Sequence, residues 1–556
     1  MNFNFKRLHL VVVAAAFAAQ AASAATAVPQ PTTIIYGGGA TLPANAYIGT
    51  GWLNAVPNLR LSNTLPPPAG IKTNAFAATA TSLFAQYALS TAATVGGVNY
   101  KAGTVGVSYC QTGSGTGRRT LTNQGGFLAS AQCGDYSSGS LGFSAPAGQS
   151  QPDFATSDAP LSQGDLNAFN TTTAGANYSA TRTQVVQIPA VAGAVAVVYN
   201  NSDLLSAKKQ LNLTQSDICG IFSGQITNWN QLHNTPKFAT IPSKPIKLVY
   251  RNDGSGTTFS FTNYLSQACG ALSRPGDTAV SGYNTTDTFQ GGSNLTNSPA
   301  ANLSSSALNS AGASGQNGNG NVVGFVAAND GAIGYAEIAD AVARAKVGGG
   351  GNLKYATVAY AADLIKTTGT LTNGQSVTCP AGTPGTATSF TNSAIKPLKY
   401  TCAAVTYNKL DPVKNFPASY AVTAKGDEVV TPDVNGRPVV AARNDSPASP
   451  AGFLPGCVLL VEPDSYATPA SGVTKKASAD YAIYPITAVS YLLANGTGNG
   501  TKTTAIQGLL GASYNAAIKA KVKTIGAKTG FAPLALTVTG GAASTAVDTI
   551  SACVRN

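Results

Sequence analysis

Runs of apolar residues that end in small or glycine-rich segments recur along the chain and set its outline. Thr33-Ile34-Ile35-Tyr36 reads as an apolar strand, and it runs into Gly37-Gly38-Gly39-Ala40-Thr41-Leu42-Pro43, a glycine-rich turn with a helix expected after it. Val105 to Tyr109 is a second strand, leading into Gln111-Thr112-Gly113-Ser114-Gly115-Thr116-Gly117, and Phe154 to Leu161 is a third strand-to-turn junction. The strongest buried-strand signal is Gln184 to Asn200. Pro189 and Gly193 interrupt its apolar run, which predicts two strands meeting at a bend and rules out one membrane helix. A helix is expected around Thr214 to Phe222, a turn at Thr227-Asn228-Trp229-Asn230, and a strand at Ile246 to Tyr250. That strand leads to Arg251-Asn252-Asp253-Gly254-Ser255-Gly256-Thr257-Thr258, and a helix continues from Phe259 to Gln267. Residues 291–321, rich in Asn, Ser, Gly and Ala, read as a flexible loop. Gly331-Ala332-Ile333-Gly334-Tyr335 is a short returning strand, and 340–480 is loop-rich. A regular pattern resumes at Tyr484-Pro485-Ile486 and in the helical stretch Ala505 to Ala527.

A chain of 556 residues exceeds what one core usually fills, so two lobes are expected. Hydrophobic residues at 44% and a mean hydropathy of +0.06 exclude both a disordered chain and a polytopic membrane protein. Lys6 and Arg7, the apolar run Leu10 to Ala19 and the small residues Ala22-Ser23-Ala24 predict a secretory signal peptide over residues 1–24. The first cysteine is Cys110, so none sits at the cleavage site to carry a lipid, and a soluble periplasmic or secreted protein is expected. Cysteines in an exported chain suggest disulfides. Nearest-neighbour pairing gives Cys110–Cys133, Cys219–Cys269, Cys379–Cys402 and Cys457–Cys553, one of about 105 connectivities open to eight cysteines. None of them forms a CxxC pair, so no metal site is expected. The net charge of +12 stays strongly positive once Lys6 and Arg7 are removed. With no Lys/Arg block or aromatic-interleaved basic stretch, that balance argues against nucleic acid and leaves attraction of small anions.

Four junctions where a strand hands over to a helix carry the candidate chemistry. The first turn of a helix has free N–H groups and partial positive charge, glycines let an anion approach, and Ser or Thr hydroxyls add donors. Any one such motif is most simply an ordinary glycine turn; four in one chain shift the balance. The third adds Asp158, an acceptor-only carboxylate when ionised. Among anion-binding donors it makes sense if the ligand carries a proton, as hydrogen phosphate does and sulfate does not. The fourth adds Arg251, whose fork suits an oxyanion, with Asp253 two residues on to orient it. The plainer readings are a helix cap for Asp158 and a surface pair for Arg251 and Asp253. Arg118 and Arg119 read as solvated helix residues.

These stretches, together with Gln187-Ile188-Pro189 and Ile221-Phe222-Ser223-Gly224-Gln225-Ile226-Thr227-Asn228-Trp229, resemble the phosphate-binding proteins of ABC transporters, and within them the DING-type branch. The resemblance covers about residues 35–337 in family order, with a weaker echo from Tyr484 to Leu536. It implies an α/β fold of the two-lobed, class II periplasmic binding protein type, with two hinge crossovers near 186–192 and 330–338 and a long loop-rich insertion. Lobe I would combine 25–185 with 339–556, including the insertion at about 340–480, and lobe II would span 186–338. Thr41 and Leu42, Ser114, Arg251, Ser255, Gly256 and Thr257 would then hold the anion, with Asp158 accepting its proton and Asp253 supporting Arg251. The expected partners are inorganic phosphate and an ABC permease, for a monomer without cofactor or metal. The insertion has no counterpart in the family's shorter transport members.

Two rival readings remain. Some DING-type relatives are linked with phosphatase activity, but metal-assisted hydrolysis usually needs His and carboxylate clusters. Of two histidines, His9 leaves with the signal peptide and His233 stands alone, so an enzyme is not expected. The other rival is an extracellular interaction protein that kept the fold, favoured by the insertion and disfavoured by the intact anion motifs.

Overall fold

This computed structural model describes residues 33–49, 81–90, 105–122, 151–162, 184–206, 210–232, 241–269, 313–346, 352–360, 408–426, 456–467 and 483–556. Shorter pieces at 143, 149, 165–166, 169, 368–371, 376–378, 400–401 and 454 complete it. The expected signal peptide, His233, and Cys133, Cys379 and Cys402 lie outside the described residues.

The organising element is a long buried strand. In chain order the strands are β1 (Thr33–Gly39), β2 (Val105–Gln111), β3 (Phe154–Ser157), β4 (Val185–Tyr199), β5 (Asn212–Thr214), β6 (Lys247–Arg251), β7 (Ser314–Gln316), β8 (Ala332–Glu337), β9 (Lys354–Tyr355) and β10 (Thr357–Tyr360). They continue with β11 (Thr368–Leu371), β12 (Ser376–Thr378), β13 (Tyr400–Thr401), β14 (Asn408–Leu410), β15 (Tyr420–Lys425), β16 (Leu460–Val461), β17 (Thr487–Asn495) and β18 (Phe531–Thr539). All 15 residues of β4 are buried, as its Val/Ala-rich composition demands of a strand covered on both faces. Its first part pairs antiparallel with β17 and β18, in the order β16-β15-β18-β4-β17-β3-β1-β2. Its last residues, 195–199, pair with β8, which joins β6 and β7 in parallel, and 198–199 also pair with β9. One strand therefore belongs to two strand groups.

The bend expected within 184–200 is corrected. Pro189 lacks an N–H, and the β4–β17 register slips there, Tyr491 facing Pro189 and Ser490 facing Val191. That bulge lets the strand pass the proline without a break. The expected return at 330–338 is also corrected. β9 and β10, placed by sequence with the first lobe, pair with β4 and β5 instead, and β14 pairs with β10. These segments fill edges that β4 and β5 would otherwise leave open. The chain rejoins the first strand group with β15, which pairs parallel to β18.

Cys219 is bonded to Cys269 and Cys457 to Cys553, two of the four expected pairs, and Cys110 is also disulfide-bonded. The first pair ties the Gln215–Ser223 helix to the end of the Gly256–Cys269 helix. The Gln215–Ser223 helix opens on a capping box in which Thr214 Oγ1 accepts from the Asp217 N–H at 3.0 Å and the Asp217 carboxylate accepts in return. Thr214→Ala is expected to cost about 1 kcal/mol, read as a lower midpoint in denaturant unfolding.

Candidate functional site

Parallel pairing brings strand ends to one level, and that is how distant segments meet. Gly39 sits opposite both Gln111 on β2 and Thr156 on β3. The residues just beyond these ends, Thr41, Ser114 and Asp158, therefore emerge side by side. In the other strand group Arg251 at the end of β6 pairs with Gln316 of β7. In open α/β sheets the region beyond the carboxyl ends of strands is where ligands bind.

The two groups touch at close range. The Gly115 N–H donates to the Gly254 carbonyl at 3.0 Å, and a Cβ on Gly115 would lie 3.0 Å from the Gly254 Cα. A Cβ on Gly256 would come within 2.5 Å of both the Asp158 Cβ and the Ser114 Oγ, so only glycine permits this approach.

Arg251 is fully buried. Its Nε donates to Asp253 Oδ1 at 2.6 Å and its Nη2 to Asp253 Oδ2, a bidentate pair that fixes the plane of the fork. The Gly318 N–H also donates to Asp253, at 3.1 Å. Burial pushes the Asp253 carboxyl up, but the Arg251 pair and the Gly318 amide overcome it and hold the group below the usual carboxylate range. From behind, Tyr335, stacked on Phe261 at 4.5 Å, accepts from the Arg251 N–H at 3.2 Å. The free edge of the guanidinium faces the first strand group: Nη1 donates to Thr41 Oγ1 at 3.2 Å and to Thr257 Oγ1 at 3.5 Å.

Asp158 is also fully buried. Ser114 Oγ donates to its Oδ2 at 3.3 Å, while its Oδ1 has no hydrogen-bond partner among the described residues. Burial pushes its pKa up to about 7, against the opposing influence of Ser490, Ser114, the Arg251 charge and the Leu42 amide. The loop that carries it is pinned: the Leu161 N–H donates to Gln187 Oε1 at 2.7 Å. Arg118, read from sequence as solvated, is buried and pairs with Asp165 at 3.2 Å while reaching the Pro160 carbonyl at 3.5 Å. Its position one turn after Ser114 turns it toward that loop instead of solvent.

Of the other expected residues, Ser255 caps the Gly256–Cys269 helix by accepting from the Thr258 N–H at 3.1 Å, and Gly256 and Thr257 form its first turn. Leu42 is buried, with its side chain against Gly193. Contacts thus link Thr41, Arg251 and Thr257, and bring Gly256 against Ser114 and Asp158.

Four residues escaped the sequence reading. Asn319, at the start of the Gly318–Ala328 helix, is fully buried; its Oδ1 accepts from Arg251 Nη1 at 3.0 Å. The segment around it, expected to be a flexible loop to residue 321, forms β7 and this helix. Asn45, one turn after Thr41, donates to Glu337 at 2.8 Å and to Asp340 at 3.1 Å. Burial and the neighbouring Asp340 charge push Glu337 well up, and burial raises Asp340 to about 6 despite the pull of Asn45 and Arg251.

The cluster is thus buried and donor-rich, with the Arg251 cation fixed in place and the Asp158 Oδ1 without a hydrogen-bond partner among the described residues. Such a donor set suits an oxyanion, and the carboxylate suits one that brings a proton.

A family model of the PBP superfamily domain matches residues 67–376. The chain is 35% identical over 163 residues to alkaline phosphatase L of Pseudomonas aeruginosa, covering 29% of this chain and 36% of that protein. It is 40% identical over 86 residues to the phosphate-binding protein PstS of Pasteurella multocida, covering 15% of this chain and 24% of that protein. The chain thus spans about a third or less of the length of these relatives. A solved structure of a high affinity periplasmic phosphate-binding protein, PfluDING, bound with phosphate, is similar at 20% identity with a TM-score of 0.45, covering 90% of this chain and 91% of that one.

Proposed function

We propose that this chain, which belongs to the PBP superfamily, captures inorganic phosphate at the buried cluster around Arg251. The observation that carries the reading is one juxtaposition. A fully buried guanidinium faces Thr41 and Thr257, close to a fully buried Asp158 whose Oδ1 lacks a hydrogen-bond partner among the described residues. Arg251 pairs with the anion, with its own orientation set by Asp253. Thr41, Ser114 and Thr257 donate hydroxyls, and the amides at Leu42 and at the start of the Gly256–Cys269 helix add N–H donors. Asp158 accepts the proton that hydrogen phosphate carries and sulfate lacks, so one carboxylate attracts the first and repels the second. Sequence resemblance and the phosphate-binding names of several relatives support the same ligand. We place the mature protein outside the cytoplasm, as a carrier delivering phosphate to an ABC permease through hinge motion of two lobes.

Isothermal calorimetry is expected to show saturable phosphate binding that a large excess of sulfate leaves unchanged. Sulfate competing on equal terms would defeat the role given to Asp158, and no heat with phosphate would defeat the function. The relative named alkaline phosphatase L makes phosphomonoester hydrolysis the second reading. A chromogenic phosphomonoester, turned over with a rate that chelator abolishes, would favour it.

A further inference from the structure

Asn319 touches three of the residues assigned to the anion, and each touch has a forced direction. Arg251 is a donor only, so the atom of Asn319 that meets Nη1 at 3.0 Å must be the carbonyl oxygen. The amide nitrogen then faces the two threonines, 3.2 Å from Thr41 Oγ1 and 3.3 Å from Thr257 Oγ1. It has one hydrogen for each. Arg251 Nη1, with two hydrogens, serves three acceptors, and Thr257 at 3.5 Å is the most distant of them.

A hydroxyl has two lone pairs and one proton. Thr41 Oγ1 takes donations from both Arg251 and Asn319, and Thr257 Oγ1 takes one from Asn319, Arg251 Nη1 lying 3.5 Å away with its two hydrogens serving nearer acceptors. With an amide hydrogen of Asn319 donated to each oxygen from behind, the proton of each threonine is turned away from Asn319 and is left to offer. We propose that Asn319 is a specificity-determining positioning residue: its amide makes both threonine hydroxyls donors toward the bound anion. The assignment rests on the phosphate reading above and adds the cause of the site's polarity. Phosphate oxygens are acceptors, so two hydroxyls locked as donors favour an oxyanion over a neutral ligand that would need an acceptor there.

The discriminating pair of variants is Asn319→Asp and Asn319→Leu. Asp has the shape of Asn but only accepts, so it would draw both threonine protons toward itself and set a negative charge beside the ligand. Leu removes the donor and leaves the hydroxyls free to turn. If Asn319 served packing alone, the isosteric Asp would be the milder change. In phosphate calorimetry we expect Asn319→Leu to weaken binding about 10-fold to 100-fold, and Asn319→Asp to weaken it at least about tenfold further. Asn319→Asp should also melt no lower than wild type, because the new carboxylate pairs with Arg251. The second arm is a double-mutant cycle with Thr41→Val. Once that hydroxyl is gone, the loss caused by Asn319→Leu should shrink by about threefold or more. Wild-type protein that binds no phosphate overturns the function and this assignment together. Wild-type binding with Asn319→Asp as tight as Asn319→Leu, or with additive losses in the cycle, overturns the assignment alone.

Discussion

Arg251→Met is expected to weaken phosphate binding by about 30-fold to several thousandfold, and to weaken residual sulfate binding by a similar factor. The range follows from the roughly 2–5 kcal/mol lost when one partner of a buried, hydrogen-bonded charge pair is truncated. Methionine keeps much of the stem volume, so lost packing contributes little. The charge explains the effect on both anions, since the guanidinium reads negative oxygens and not the ligand's proton. The same change should destabilise the ligand-free protein, because Asp253 keeps only the Gly318 amide among the partners described for its side chain. A buried ion left without its partner costs about 3–5 kcal/mol, discounted here because the Asp253 side chain is 21% exposed. Adding Asp253→Asn to Arg251→Met should recover much of the melting temperature and none of the affinity. Calorimetry and thermal melts on the single and double variants separate the two roles. Affinity that recovers along with stability would mean that Arg251 only holds the fold together.

The four junctions were readable because each is local. A strand, a small-residue turn and a helix start lie within about ten residues, and the chemistry of free amides and hydroxyls needs nothing from elsewhere. Asn319 was unreadable for the converse reason. It sits in an Asn/Gly-rich stretch of loop-like composition, and its meaning depends on β7 pairing with β6, Gln316 against Arg251. Asn45 and Glu337 lie 292 residues apart and meet through tertiary packing alone. The one sequence signal for Asn319 is an Asn three residues beyond a strand end, as Ser114 lies beyond Gln111.

The fold shows the same division. Apolar runs located β1, β2, β3, β6 and β8. Proline and glycine misled within β4, because local rules break a strand where a bulge and flanking strands can carry it through. Pro189 keeps its carbonyl occupied by the Tyr514 hydroxyl, a partner 325 residues away. The path of 352–410 was likewise hidden, since edge pairing with β4 and β5 overrides composition.

Asp158→Asn should raise stability and lower discrimination together. Burial lifts the Asp158 pKa from 3.8 to about 7. A carboxyl whose folded pKa lies above its unfolded value contributes stability that is full below the unfolded pKa and is lost as pH rises through the folded one. The ligand-free protein should therefore lose stability between about pH 4 and 7, with Asp158 accounting for a share on the order of 4 kcal/mol. Glu337 and Asp340 are raised as well and steepen the same slope. Asp253 and Asp330 are depressed and act oppositely, losing their contribution only as pH falls below the ordinary carboxylate range. Thermal melts without phosphate should thus peak on the acid side of neutrality. In Asp158→Asn the decline toward pH 7 should flatten and the melting temperature at pH 7.5 should rise by several degrees. Binding moves the other way, because the carboxylate is needed ionised to take the ligand's proton. An amide in its place offers a donor to any oxyanion, so the preference for phosphate over sulfate should fall by about tenfold or more. On the proposed function, the ionised Asp158 trades stability at neutral pH for selectivity. A variant with the wild-type pH slope and undiminished preference would show that this carboxyl does not face the bound anion.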